Sequence, residues 1–357
     1  MDPVFSRPSR SMRSGAIRSV RELQERGLIG DGDVGAIQQV VNEFSLAITA
    51  EMAELIEPNQ VSGPIAKQFV PSESELIESE SDLADPIGDD RHSPVKGIVH
   101  RHNDRVLLKL VHLCAVYCRF CFRRETLGSA QSKNLSEAEL ETALDYIRRN
   151  EEIWEVILTG GDPLVLAPRR LQRVIGALAA ISHVKIIRIH TRVPVVDPSR
   201  IDDEMVAALT SDKPVYVVLH ANHARELTPN AKAAIAKLAF AGVPLLSQSV
   251  LLRGVNDSEE ALKDLFRALL ENRVKPYYLH HGDLARGTSH FRTTIEEGQR
   301  LFGALRAKIS GIGLPRYVLD IPGGWGKVSI EASHLTATPD GYLVRDDAGQ
   351  LHEYRCM

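Results

Sequence analysis

The sequence predicts an α/β fold, a partial (β/α)6 barrel with a helical segment before it and a short appendage after it. Two observations predict it. From residue 105 onward, short β-branched or aliphatic runs alternate about six times with amphipathic helical patterns, the pattern of a parallel sheet with crossover helices. The distinctive polar residues stand just after the strands, where the carboxyl ends of a parallel sheet build a site, and in a barrel those ends converge on one mouth. Periodicity alone fits an open doubly wound sheet equally well; one large site fed by every unit favours the barrel.

At 357 residues the chain is long enough to bury one large core and carry a minor segment. Its 43 Lys and Arg against 47 Asp and Glu leave a formal net charge of -4, which is no electrostatic footprint for nucleic acid. No apolar run approaches the length of a membrane span, and the opening residues lack the apolar centre of a secretory signal. A soluble, cytoplasmic protein is expected. The opening, rich in Arg and Ser, reads as a disordered terminus rather than a transit peptide.

The elements follow in order. Two helical patterns come first, "AIRSVRELQERGL" and "VGAIQQVVNEFSLAITAEMAELI". Residues 71–90 hold eight acids and no Lys or Arg, a composition that reads as a solvated linker or face, and they complete an N-terminal segment over 1–95. The barrel is expected over 96–320, with strands "RVLLKLV", "EVILT", "VKIIRIH", "VYVVLH", "VPLLSQSV" and "VKPYYLH". Between the first two, "SEAELETALDYIRR" places Ser136 and Glu139 at the spacing of a capping box. Three cysteines follow the first strand, "TGGD" the second, "HTR" the third, His220 closes the fourth, Gln248 sits in the fifth and "HHGD" follows the sixth. Residues 321–357 form a C-terminal loop and tail.

Of the four cysteines, Cys114, Cys118 and Cys121 share the stretch "HLCAVYCRFCFRR" in a C-x3-C-x2-C spacing. In a reducing compartment such clustering points to metal binding or catalysis rather than disulfides. One reading is zinc, with His112 or a remote histidine as fourth ligand, in a non-enzymatic, zinc-stabilised ligand-binding barrel. Zinc ligands, however, usually come as two separated pairs, whereas an iron–sulfur cluster with three thiolate ligands keeps one iron open. Cys356, in a polar tail, is expected to take no part.

That spacing is the signature of the radical S-adenosylmethionine (SAM) enzymes, and "TGGDP", one unit later, resembles their motif for the SAM amino group. "DRHSPVKGIVHRHNDRVLLK", "CAVYCRFCFRR", "HANHARELT", "SQSVLLRGVND", "KPYYLHHGDLARGTSHFRT" and "LDIPGGWGK" resemble, in order and over about residues 60 to 330, the lysine 2,3-aminomutase family. The resemblance implies a TIM-like partial barrel of the radical SAM type. It implies a 4Fe-4S cluster on Cys114, Cys118 and Cys121, and SAM at Gly160, Gly161 and Asp162 with His220 nearby. It implies pyridoxal 5′-phosphate (PLP) bonded to Lys327, with Arg101 and Gln248 at its phosphate.

The implied activity is an isomerase that moves the 2-amino group of L-lysine to carbon 3, giving β-lysine. Arg123 would receive the substrate carboxylate, and Asp283 and Asp320 its ε-ammonium. The implied partners are L-lysine, an electron-donor reductase and, in one branch of the family, elongation factor P, whose modification consumes β-lysine; a homo-oligomer is a further expectation. Three positions depart from the family pattern: His102 where tyrosine is common, Ser247 where asparagine is, and Trp325 where glycine often stands. The glycines of "PGGWGK" are expected to let backbone approach a flat cofactor.

Overall fold

The computed structural model describes residues 15–57, 62–128, 134–339, 341–346 and 349–355. Its centre is a nine-stranded sheet in which spatial order follows chain order. The strands are β1 (Ile98–His102), β2 (Arg105–Val111), β3 (Glu155–Gly160), β4 (Ile186–Thr191), β5 (Val215–His220), β6 (Leu245–Val250), β7 (Lys275–His280), β8 (Arg316–Asp320) and β9 (Lys327–Ser329). β2 to β8 run parallel, and β1 and β9 pair antiparallel at the two edges. Alternate residues from β2 through β9 line one cavity, so the sheet curls around it as a half-barrel.

Ahead of the sheet lie α1 (Val20–Glu25), α2 (Val34–Glu43), α3 (Ala50–Ala53) and α4 (Pro64–Phe69). The crossovers carry α5 (Glu137–Arg149), α6 (Pro168–Ala179), α7 (Val193–Val196), α8 (Asp203–Ala208), α9 (Pro229–Phe240), α10 (Glu259–Glu271) and α11 (Ile295–Arg306). Each longer helix buries one stripe at helical spacing: Leu171, Val174, Ile175 and Leu178 on α6, and Leu262, Leu265, Phe266 and Leu269 on α10. Those stripes cover the outward-facing strand residues, such as Val156, Leu158, Ile187 and Ile189, which are fully buried, because a parallel sheet must be covered on its convex face. The expected capping box opens α5: Ser136 Oγ accepts from the Glu139 N–H at 3.3 Å, and Glu139 Oε2 accepts from the Ser136 N–H at 2.8 Å.

All six expected strands are present, as β2 to β7. The parallel set has a seventh member, β8, flanked by the antiparallel β1 and β9. β1 and β8 are five residues long and β9 three, with charged residues and nearby Pro and Gly, too short and too mixed in polarity to announce themselves by periodicity.

The acidic run 71–90 departs from expectation. It is a strap rather than a solvated linker: Leu83 N–H donates to the Leu284 carbonyl at 2.7 Å, and Glu75 and Asp89 are only 2% and 6% exposed. A separate three-stranded antiparallel sheet, β10 (Leu335–Thr338), β11 (Gly341–Arg345) and β12 (Leu351–Arg355), forms the tail. The opening residues 1–14 and Cys356 lie outside the described residues. Among the described residues no helix is long and apolar enough to cross a membrane.

Candidate active site

Along each strand the period of two sends alternate side chains inward. Ile157 and Thr159 of β3, Arg188 and His190 of β4, Gln248 of β6, His280 of β7, Asp320 of β8 and Lys327 of β9 thus face one cavity of about 710 Å3, a volume suited to a small-molecule site. The loops at the strand ends close it. The residues that the resemblance assigns to cluster, cofactors and substrate all line this cavity: Cys114, Cys118, Cys121, Gly160, Gly161, Asp162, His220, Arg101, Gln248, Lys327, Arg123, Asp283 and Asp320.

The cysteine loop follows β2 and is pinned from outside, with Tyr117 N–H donating to Ala47 O at 3.0 Å and Arg119 N–H to Gln68 O at 2.9 Å. Burial pushes the Cys114 thiol well above its usual range, with Asp162 and the neighbouring thiols adding to the shift, and burial beside Cys118 pushes Cys121 up to about 11. A cationic centre reverses that balance, because metal ligation takes the thiolate. Arg192 Nη1 donates to Cys118 Sγ at 2.8 Å, a polar contact of the kind that tunes a cluster thiolate. Among the described residues no three His, Cys, Asp or Glu side chains gather around one point as ligands of a single ion would; a cluster instead takes one thiolate on each of three irons. His112, the zinc alternative's fourth ligand, is not among the residues lining the cavity.

The β3 turn that meets this loop requires glycine twice. Gly160 has φ +107°, and a Cβ on Gly161 would collide with the Leu113 carbonyl. Asp162, predicted to contact SAM, has its carboxylate committed within the fold: it accepts from Leu164 N–H (3.0 Å), Thr191 Oγ1 (2.6 Å), Arg192 N–H (2.6 Å) and Val193 N–H (3.2 Å). It therefore ties the β3 turn to the β4 turn, and what the motif can offer a ligand is backbone.

At the far side, β9 returns Lys327 beside Asp320, its partner in register. The Lys327 ammonium pairs with Asp320 Oδ2, stands 3.4 Å from His280 Nδ1, and lies over the Tyr278 ring at 5.5 Å. Burial pushes Asp283 up, and the negative Asp320 adds to it, to about 7. Burial pushes Asp320 the same way, but His280 and Lys327 outweigh it and hold that carboxyl well below the usual range. Two neighbouring carboxyls are thus split in acidity, as at many sites that handle protons or cations.

The glycines of residues 321–326 do something other than expected. Gly323, Gly324 and Gly326 have φ of +81°, +83° and +105°, and they form the tight β8–β9 turn, with Ile321 N–H donating to Gly326 O at 2.8 Å. None of them lines the cavity. Trp325 is 72% exposed and lies under the Arg91 guanidinium at 4.7 Å.

Residues 108–266 match the radical SAM superfamily. Over 320 residues the chain is 41% identical to the L-lysine 2,3-aminomutase of Methanococcus maripaludis, covering 89% of this chain and 74% of that protein. With the L-lysine 2,3-aminomutase of Clostridium subterminale the identity is 39%, covering 95% of this chain and 81% of that protein. The chain belongs to the lysine 2,3-aminomutase family. A glutamate 2,3-aminomutase, from Clostridioides difficile, is 38% identical over 86% of this chain and 72% of that protein.

Membership in the aminomutase family makes the chain a radical SAM isomerase and implies a 4Fe-4S cluster, SAM and PLP as its cofactors. It sets aside the non-enzymatic zinc barrel. The cavity fits such a load: at one end three thiols and a two-glycine turn, at the other a lysine amine, and between them the buried Arg101 Nε, His190 Nε2 and His220 Nε2, which have no partner within the protein. His220 stacks on Phe120 with centroids 5.7 Å apart and is opposite Gln248 in register, so the two histidine- and glutamine-bearing strands meet mid-cavity.

Sequence reasoning missed two parts of this aminomutase site. Arg192, besides touching Cys118, donates to Gln68 Oε1 and Glu226 Oε2, both at 2.6 Å. Gln68, Asn222 and Glu226 are fully buried, so the arginine is fixed by a closed polar network. Its signal was the "HTR" that closes β4 and begins the turn after it, noted for its place but given no role. The second part is the strap. Glu75 takes Arg119 Nη2 at 2.5 Å and also Arg124 Nη2, and Asp89 takes Arg101 and Arg123. Ser72 and Glu75, spaced as a capping box, were the sign that this run folds.

Proposed function

We propose that this chain is a lysine 2,3-aminomutase that converts L-α-lysine to β-lysine. The observation that carries the reading is the Lys327 ammonium paired with Asp320, with Asp283 close enough to feel both charges: this end of the cavity already accommodates a primary ammonium on one carboxylate with a second alongside. A substrate ending in a carboxylate, such as glutamate, would meet two acids there, and like charges at close range cost several kcal/mol.

The cluster with SAM supplies a hydrogen-abstracting carbon radical, and PLP supplies the conjugated system across which a nitrogen moves between adjacent carbons. Cys114, Cys118 and Cys121 would hold the cluster, with Arg192 orienting Cys118. The Gly160–Gly161 turn would offer backbone to SAM beside His220. Lys327 would hold PLP covalently and exchange it for the substrate amine, with its own amine received by Asp320 and His280. Arg101 and Gln248 would receive the phosphate, Arg123 the substrate carboxylate through a planar fork that a lysine lacks, and Asp283 with Asp320 the ε-ammonium.

An isomerisation is redox-neutral, so the electron that opens the reaction must come from a separate reductase. A cytoplasmic location, with its reduced thiol pool, suits three free cysteines gathered in one loop. The test is anaerobic incubation of the reconstituted enzyme with SAM, a reductant and, separately, lysine, glutamate and arginine. β-Lysine should form from lysine with little turnover of the others; a preference for glutamate overturns the reading.

A further inference from the structure

We propose that Asp89, on the acidic strap, is a positioning residue that sets the orientation of both anion-binding arginines of the site, Arg101 for the cofactor phosphate and Arg123 for the substrate carboxylate. The proposal rests on the functional reading above and extends it to a residue outside the barrel. Each oxygen of the Asp89 carboxylate holds one arginine: Arg101 Nη2 donates to Oδ1 at 2.7 Å and Arg123 Nε to Oδ2 at 2.8 Å. Lys109 Nζ stands 3.9 Å from Oδ2. Among the described residues Asp89 is the acid paired with either arginine.

The arrangement leaves each arginine usable. Asp89 engages the Nε edge of Arg123, so the terminal nitrogens remain for a ligand carboxylate, and three cations around one anion keep the wall net positive toward two incoming anions. Burial favours the protonated acid, but Arg123, Lys109 and Arg101 outweigh it and keep Asp89 ionised. A buried arginine without such a partner would have many rotamers and no fixed fork.

The strap that carries Asp89 is itself indexed to the Lys327 loop. Asp85 Oδ1 and Oδ2 accept from the Asp89 and Asp90 N–H groups, both at 2.9 Å, which fixes the turn. Gly323 N–H donates to Pro86 O at 3.1 Å, and Gly88 packs so closely that an added Cβ would lie 2.6 Å from the Gly323 carbonyl. One short segment therefore registers the phosphate arginine, the carboxylate arginine and the loop ending in the PLP lysine against one another.

The experiment compares reconstituted parent, Asp89→Asn, Asp89→Glu, Arg123→Gln and the Asp89→Asn/Arg123→Gln double variant. Asp89→Asn should raise KM for lysine on the order of tenfold or more while kcat changes by less than about threefold, because loss of a buried charged partner acts on ligand binding. It should also weaken PLP binding in an absorbance titration, a readout independent of turnover, with iron content as in the parent. The double variant should raise KM by less than the product of the single effects, since Asp89 has little left to position once Arg123 is gone. Parent-like KM and PLP binding in Asp89→Asn, or a multiplicative double variant, overturns the proposal while leaving the functional reading standing. An Arg123→Gln enzyme with parent KM overturns both. If Asp89→Asn loses iron and folding, Asp89→Glu decides: recovery of KM and PLP binding toward the parent supports the proposal, and their loss in a folded Asp89→Glu protein overturns it.

Discussion

Asp283 illustrates how one side chain sets conditions for the whole reaction. With its carboxyl raised to about 7 by burial and the nearby Asp320, it binds a proton as pH falls through 7, whereas the substrate's ε-amine stays cationic. kcat/KM for lysine reports the free enzyme, so it should fall by about tenfold per pH unit below 7, and Asp283→Asn should abolish that limb at a lower plateau. The stability effect has the opposite sense. The folded state holds this proton more tightly than an unfolded aspartate, so the group's contribution to stability declines as pH rises from about 4 to 7, and Asp283→Asn should melt higher at neutral pH by on the order of a few °C. Asp320→Asn should lower kcat/KM for lysine by about 30-fold or more, the scale of a lost buried charge partner. Lys327 gives a covalent test: borohydride reduction of the PLP-loaded protein followed by peptide mapping should place the pyridoxyl group on Lys327 and not on Lys275 or Lys308.

At the scale of elements, the strap and the cysteine loop behave as one unit. Arg119 and Arg124, inside "CRFCFRR", share Glu75, whose burial penalty is outweighed by the two guanidinium groups that hold it ionised. Glu75→Gln leaves two arginines short of their anion, one of them 1% exposed, and breaking a buried pair costs about 3–5 kcal/mol. The expected outcome is a lower melting temperature, faster proteolysis within 71–90, and reduced iron retention, since the loop that holds Cys118 and Cys121 loses its outer wall. Unchanged iron and melting would show that the strap is passive. The same coupling explains why an acidic run carries so little exposed surface at its two key positions: its counter-charges are provided by the loop it covers.

For the molecule as a whole, the half-barrel and the strap enclose the site, and the tail sheet β10–β12 stands apart from them, with Leu335, Leu351 and Tyr354 more than half exposed. Truncation after Ser333 should therefore leave cluster iron, PLP absorbance and melting temperature close to those of the full chain. Loss of iron on truncation would mean that the tail braces the barrel. The strap, in contrast, cannot be removed without exposing Arg119 and Arg124, so deletion of 71–90 should yield protein that does not retain iron.

Much was legible in the sequence because its signals are local. Six strand runs with polar residues at their ends marked the mouth of the sheet, and a three-cysteine spacing marked one loop; each follows from covalent geometry within a few residues, whereas Lys327 and Asp320 were legible only through the resemblance to the family. The six long strands were visible for the same reason, and β1, β8 and β9 were too short to be. Only the tertiary structure decided which charges meet. Glu75 and Arg119 are 44 residues apart, Asp89 and Arg123 34, Gln68 and Arg192 124, and no period or composition records such a pairing. It also decided that Asp162 turns its carboxylate to the fold, that Lys327 rests on Asp320, and that an acidic run is a wall of the site, because Coulomb energy and burial depend on distance in space, which the order of residues does not contain.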